Sequence, residues 1–297
     1  ITKYAVMVKD PNSIRFELEK AYHLAMSGRK GPVLIDLPIN IQKTDINPTD
    51  LRGFNTFTKE VYDLDLVRRQ ISEYLQDFIK AERPVLMIGG GVKHSNAIDD
   101  FRELANLLKI PCYPTWNALD VVTSDFEYYG GRIGTYGGGV GRNFGIQNTD
   151  LLLAIGSRIS GRITGGNVSS FAREAKKFVV DVDQGLLQDH YQQVPFDANI
   201  FCDAKLFIKL LIEEANKLKE LINNSNKSSW TSKAINWREK YDPVRKEFFK
   251  QTENVHPYVF MRKLSKLADS NAVLIGDCGG NIVVSNHAFK TKYGQLN

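Results

Sequence analysis

Residues 83–91 read Arg-Pro-Val-Leu-Met-Ile-Gly-Gly-Gly, an apolar run that ends abruptly in three glycines. A short run apolar on both faces is a strand buried on both sides, as in a parallel sheet. Glycines at its carboxyl end let a ligand come close to the backbone. The helical pattern that follows at 95–109 would turn its N-terminal N–H groups and positive dipole end to the same place, where an anion is favoured. Three consecutive glycines are not the spaced G-x-G-x-x-G fingerprint, so a nucleotide site and a purely structural turn both stay open.

The pattern recurs along the chain. Residues 110–115 read as a short second strand between prolines, 150–158 as a third strand running into Gly156, and 177–183 as a fourth ending in Asp181 and Asp183. Helical spacing fills the gaps: Leu64, Val67, Ile71, Leu75 and Phe78 share one face, and a further helix begins near Phe201 and runs to Leu221. This alternation predicts an α/β fold with a parallel sheet and right-handed crossovers. A carboxylate at a strand's carboxyl end either accepts from ribose hydroxyls or caps the next turn, and Asp181 and Asp183 fit both roles. Residues 128–145 hold eight glycines among eighteen, with Arg132 and Arg142 between them. So many glycines forfeit backbone entropy, which favours a loop moulded around a ligand over a loose surface loop.

On the upstream side, 10–28 reads as a capped amphipathic helix, 31–38 as a buried strand closed by Pro38, and 40–63 as a polar linker. On the downstream side, 223–229 is a polar break that suggests a domain boundary. A charged helix at 232–250, a helix at 256–268 and a last strand at 272–277 follow, before Cys278-Gly279-Gly280-Asn281. At 297 residues there is room for two domains. The net charge of +5 is spread among acids rather than clustered, which argues against a nucleic-acid partner. No 18-residue apolar run or signal-peptide core is present, so no membrane helix is expected. Cys112, Cys202 and Cys278 lie far apart with no C-x-x-C pair, which argues against a disulfide framework or zinc site and for a cytoplasmic setting.

Taken together, these stretches resemble the thiamine-diphosphate-dependent enzymes of the acetolactate synthase and pyruvate-decarboxylase-like group. Residues 31–38 resemble the segment closing their pyrimidine-binding domain, and 83–91 the first strand and turn of their central domain. Gly134-Thr135-Tyr136-Gly137 and 150–165 resemble two central-domain loops, and 275–281 the start of the diphosphate-binding domain. The resemblance implies a Rossmann-like (DHS-like) central sheet at 64–222. A piece of the pyrimidine domain at 1–47 and a linker at 48–63 would precede it. A linker with a helix at 223–252 and the head of the diphosphate domain at 253–297 would follow. It also implies a whole enzyme that uses thiamine diphosphate and Mg2+ to decarboxylate a 2-keto acid such as pyruvate and to join the remainder to a second carbonyl, working as a homodimer or homotetramer.

The family's activating glutamate would lie upstream of Gly31 and its Mg2+ motif downstream of Asn297. The chain is therefore expected to be a piece, inactive alone and without catalytic or metal residues. Carried over by position, Gly279, Gly280 and Asn281 would meet the diphosphate. If the central domain holds FAD, Gly90 and Gly91 would face its adenosine half, and Arg158 and Arg162 its phosphates and ribityl chain. Asp181 and Asp203 would lie near ribose and adenine, and Gly134, Tyr136 and Gly137 near the flavin ring. Ser160-Gly161-Arg162 departs from the family's Asp-Asp-Arg pattern and Tyr136 stands where His is usual, so FAD, ADP or an empty central domain all remain open. The competing reading is a non-catalytic nucleotide-binding module. A nicotinamide dehydrogenase is disfavoured, since no G-x-G-x-x-G followed by an acid occurs.

Overall fold

The computed structural model describes residues 1–55, 60–135, 140–187 and 194–296. The chain forms two compact units, Ile1–Tyr62 and Asp63–Asn297. In the first, strands β1 (Tyr4–Met7) and β2 (Val33–Asp36) pair in parallel, Tyr4 opposite Val33 through Met7 opposite Asp36. The helix Ile14–Met26 connects them. Asp10 caps its entry by accepting from the Asn12 N–H at 3.0 Å, with Pro11 in the first turn where no N–H is needed. The expected strand at 31–38 is present, but it is not buried on both faces: alternate residues are exposed, Leu34 by 52%. Within this unit the helix Ile14–Met26 packs against both strands.

The second unit is built on a five-stranded, all-parallel sheet in the order β4-β3-β5-β6-β7. Its strands are β3 (Pro84–Ile88), β4 (Cys112–Pro114), β5 (Leu151–Ile155), β6 (Lys176–Asp181) and β7 (Ala198–Phe201). Every residue of β3 and β5 is buried, as the two-sided apolar run at 83–91 requires. Alternate residues serve opposite faces. Val85, Met87, Leu152, Ala154 and Val179 join Tyr113 and Trp230 in one core. On the other face Tyr74, from the helix Leu64–Lys80, meets Phe178 edge-on at 5.4 Å. The helices Ile98–Leu108 and Ala204–Lys217 pack together on this face as well.

Four local expectations change. The helix read at 95–109 starts earlier, as a turn Gly90–His94, and resumes at Ile98–Leu108 after Asn96 takes a φ of 54°. Strand β7 occupies the residues just before the expected helix, which starts at Ala204 behind the cap Asp203. Within the polar run 223–229 only residues 225–227 leave helix, as a short turn between the helices Lys219–Asn224 and Ser228–Lys240. Beyond it the helix Ser228–Lys240 sends the Trp230 indole N–H to the Pro84 carbonyl at 3.0 Å, inside the core. Residues 272–277 form no strand: Val273 makes one isolated bridge to Leu296, and Ile275 is 89% exposed. A parallel strand is held by its neighbours, and here the pairing is a single bridge: Leu274 N–H donates to the Leu296 carbonyl at 2.9 Å and Leu296 N–H to the Ala272 carbonyl at 3.2 Å.

Candidate functional site at the carboxyl edge of the sheet

The chain leaves β3 for β4 on one side and returns to β5 on the other, so the strand order reverses at β3. Ligands of open α/β sheets bind in the crevice outside the carboxyl ends at such a switch point. Here the floor of that crevice is backbone against backbone. Gly89 N–H donates to the Ile155 carbonyl at 2.9 Å, and Gly91 N–H to the Gly156 carbonyl at 3.0 Å. A Cβ on Gly89 would lie 2.0 Å from the Gly156 oxygen, and one on Gly91 2.6 Å from the Gly156 Cα. Gly156 itself has a φ of +61°. These glycines are demanded by the close approach of two loops, a requirement that exists with or without a ligand.

Around this floor the structure gathers a rim. A Cβ on Gly90 would stand 3.2 Å from the Asn117 Cβ. Gly134, at a φ of +134°, lies against the Trp116 indole nitrogen and the Arg162 carbonyl. Thr135 N–H and Oγ donate to that same carbonyl at 2.9 and 3.1 Å. Asn143 brackets Gly134, accepting from its N–H at 3.3 Å and donating to its carbonyl at 3.2 Å. Gly90, Gly134 and Arg162 thus share one contiguous edge, joined by Trp116 and Asn117, which local sequence did not single out. Arg158 and Arg162 both follow β5 and are exposed, and a guanidinium suits an anionic group through charge-assisted hydrogen bonds. Tyr136 and Gly137 lie outside the described residues.

Asp181, Asp183 and Asp203 have local employment. Asp203 accepts from the Lys205 and Leu206 N–H groups at 2.9 and 3.1 Å, capping the helix Ala204–Lys217. Asp181 accepts from the Asp183 N–H at 3.0 Å, and Asp183 from that of Gly185 at 3.0 Å. The glycine-rich loop is also partly explained from within. The buried phenol of Tyr113 lies where a Cβ on Gly130 or Gly145 would be, 2.5 and 1.7 Å from its nearest atoms. Burial pushes the Tyr113 hydroxyl and the Cys112 thiol far up, and the Cys202 thiol up to about 12, so all three are neutral at pH 7. Among the described residues no group of three or more His, Cys, Asp or Glu side chains is placed to hold a metal ion. Among the described residues no helix is long and apolar enough to cross a membrane.

A second anion-facing feature stands at the helix Gly280–Ala288. Gly279 precedes it with a φ of +86°, and nothing lies within 4 Å of a Cβ placed on Gly279 or Gly280. Gly279, Gly280 and Asn281 are exposed, so the first N–H groups of the helix are open to a ligand. The far end of this helix is held by Arg132, a glycine-loop residue that is only 5% exposed although its charge and glycine neighbours read as surface.

Residues 71–211 match the family described as thiamine pyrophosphate enzyme, central domain. The acetolactate synthase large subunit of Corynebacterium glutamicum is 36% identical over 62% of this chain and 29% of its own length. A probable acetolactate synthase large subunit of Methanococcus aeolicus is 28% identical over 98% of this chain and 49% of its own. Glyoxylate carboligase of Escherichia coli O157:H7 is 30% identical over 78% and 38%. The chain therefore spans less than half the length of these relatives.

Proposed function

The chain belongs, through residues 71–211, to the thiamine pyrophosphate enzyme family, and on that premise we propose that it is part of a 2-keto acid decarboxylase and carboligase of the acetolactate synthase kind. The observation that carries this reading is the order of parts. A matched central domain is followed by a helix that begins at Gly280 with open N–H groups. The glycines fit the diphosphate of thiamine diphosphate, because a side chain at 279 or 280 would occupy the space the phosphates need. Bound there, the cofactor supplies an electron sink for the carbanion left when a 2-keto acid loses carbon dioxide. This chain's share is to bind and orient: N–H donors at the helix start and the Asn281 amide hold the phosphates, with Mg2+ held by residues elsewhere in the whole protein.

We assign the carboxyl edge of the central sheet to an accessory nucleotide, FAD or ADP, held by Gly90, Gly134, Arg158 and Arg162. Asp181 and Asp203, already engaged as turn and cap acceptors, are weaker members of that set. The whole protein would work in the cytoplasm as a homodimer or homotetramer. The test is carbon dioxide release by the full-length protein with pyruvate, thiamine diphosphate and Mg2+. Release supports the reading, and none from pyruvate or any other 2-keto acid sinks it. An absorption spectrum of the purified protein decides the accessory site: a flavin band supports FAD, and a preparation free of any nucleotide removes the assignment.

A further inference from the structure

The helix Gly280–Ala288 is gripped at the end away from Gly279–Asn281. Its last carbonyls carry the negative end of its dipole, and that of Ser285 already accepts from the Phe289 N–H at 3.0 Å. Arg132 Nη1 donates to the Ser285 carbonyl at 2.9 Å. Its Nη2 donates to the Phe289 carbonyl at 2.6 Å and to Thr291 Oγ at 3.1 Å. Arg262, from the helix Pro257–Leu267, donates from Nε to the Ala288 carbonyl at 2.8 Å and forms a two-bond fork with Asp242 at 2.9 and 3.0 Å. Ser124 N–H donates to the Thr291 carbonyl at 2.8 Å, tying the same segment to the approach of the glycine-rich loop.

The two arginines come from different places. Arg262 belongs to the helix pair beside Gly280–Ala288, whereas Arg132 sits two residues before Gly134, on the loop that forms the rim of the central sheet. A buried guanidinium holding three acceptors is a fixed, directional joint, since its planar fork cannot be replaced by a point charge. Nine helical residues carry that fixation over about 13 Å, at a rise of ~1.5 Å per residue, to the first N–H groups. Binding through such donors tolerates misplacement of only ~0.5 Å.

We propose that Arg132 is a positioning residue for the cofactor diphosphate. It fixes the C-terminal end of the helix Gly280–Ala288 to the glycine-rich loop, so that the donors at Gly280 are aimed before the cofactor arrives. The proposal rests on the reading that Gly279–Asn281 face the diphosphate. In the full-length protein, Arg132→Met removes the fork and Arg132→Lys keeps the charge on one donor. Gly280→Glu places a carboxylate at the helix start and tests the underlying reading separately.

The readouts are thiamine diphosphate affinity by equilibrium dialysis with Mg2+, amide exchange of 283–289 without cofactor, and the melting temperature of the apoprotein. Arg132→Met should weaken binding about tenfold or more, as for other residues that orient a ligating group, with partial recovery in Arg132→Lys. Exchange over 283–289 should quicken in both, and kcat at saturating cofactor should return close to wild type. If Gly280→Glu abolishes binding while both Arg132 variants stay within about twofold of wild type, the diphosphate reading stands and the role of Arg132 falls. If Gly280→Glu binds normally, both fall. Should Arg132→Met not fold, Arg132→Lys alone decides, and unchanged affinity there overturns the proposal.

Discussion

Replacing Gly89 by alanine separates a glycine needed by the fold from one needed by a ligand. The new Cβ would sit 2.0 Å from the Gly156 oxygen and 2.5 Å from both the Gly156 carbonyl carbon and the Ser157 Cα. Carbon contacts become favourable only at ~3.5–4.0 Å, so the two loops must part by about 1 Å or more. All three neighbours are backbone, and none can rotate away. Parting strains the bonds from Gly89 to Ile155 and from Gly91 to Gly156. Overpacking costs ~1–3 kcal/mol and a buried backbone group left unpaired ~1–3 kcal/mol, so the total is on the order of 4 kcal/mol.

For a unit of this size that is a fall in melting temperature of roughly 8–16 °C. Gly166→Ala is the control: nothing lies within 4 Å of its Cβ, and it should be neutral or gain ~0.4–1 kcal/mol. Both are read by circular dichroism melts without nucleotide. A Gly89→Ala protein melting within about 2 °C of wild type would refute the claim that the backbone approach demands glycine there.

Asp203→Ala removes an acceptor for two N–H groups at the start of the helix Ala204–Lys217. It should cost about 1 kcal/mol in urea unfolding, with Asp203→Asn close to wild type; no loss in the alanine variant would contradict the capping role. Tyr113→Phe deletes a buried hydroxyl that has no hydrogen-bond partner among the described residues. It should leave stability unchanged or raise it by up to ~1 kcal/mol, and a clear destabilisation would mean the hydroxyl is bonded. Stability should also fall in alkali. Burial raises Cys202 to about 12 from 9.0, and raises Cys112, Tyr74 and Tyr113 beyond that. Their unfolded counterparts ionise at their ordinary values, so this stability is complete below about pH 9 and is lost as pH rises toward 12. A urea midpoint that stays flat from pH 8.5 to about 11 would show that these groups are not buried as described.

The sheet was legible where burial is two-sided. Residues 84–88 and 151–155 are apolar throughout because both faces are covered, and that leaves a local trace. Strand β7 left none: Ala-Asn-Ile-Phe is four residues long with an amide inside. The run at 272–277 misled in the opposite direction, being apolar but paired only through one isolated bridge to Leu296. Of the site, the glycine-to-helix transitions were visible, but their reasons were not. Gly91 answers to Gly156, and Gly130 and Gly145 to Tyr113. Such contacts join residues far apart in sequence, and no periodicity reports them. The inward path of Arg132 is of the same kind, since a charged residue among glycines reads as surface until its acceptors, some 150 positions later, are known.

The placement of Trp230 also sets a timetable for chain synthesis. The first turns of the helix Ser228–Lys240 receive three earlier segments. Lys227 holds the Ile79 carbonyl, Trp230 the Pro84 carbonyl and Thr231 the Lys109 carbonyl. Trp230 follows Pro84 by 146 residues, a lag of roughly 7–30 s at ~5–20 residues per second on the ribosome. During that interval β3 and β4 have left the exit tunnel with one face of their sheet still uncovered. A nascent chain in this state is a client for holding chaperones, and translation that ends between Phe201 and Trp230 leaves all five strands without the Trp230 contact on one face, a form prone to aggregate.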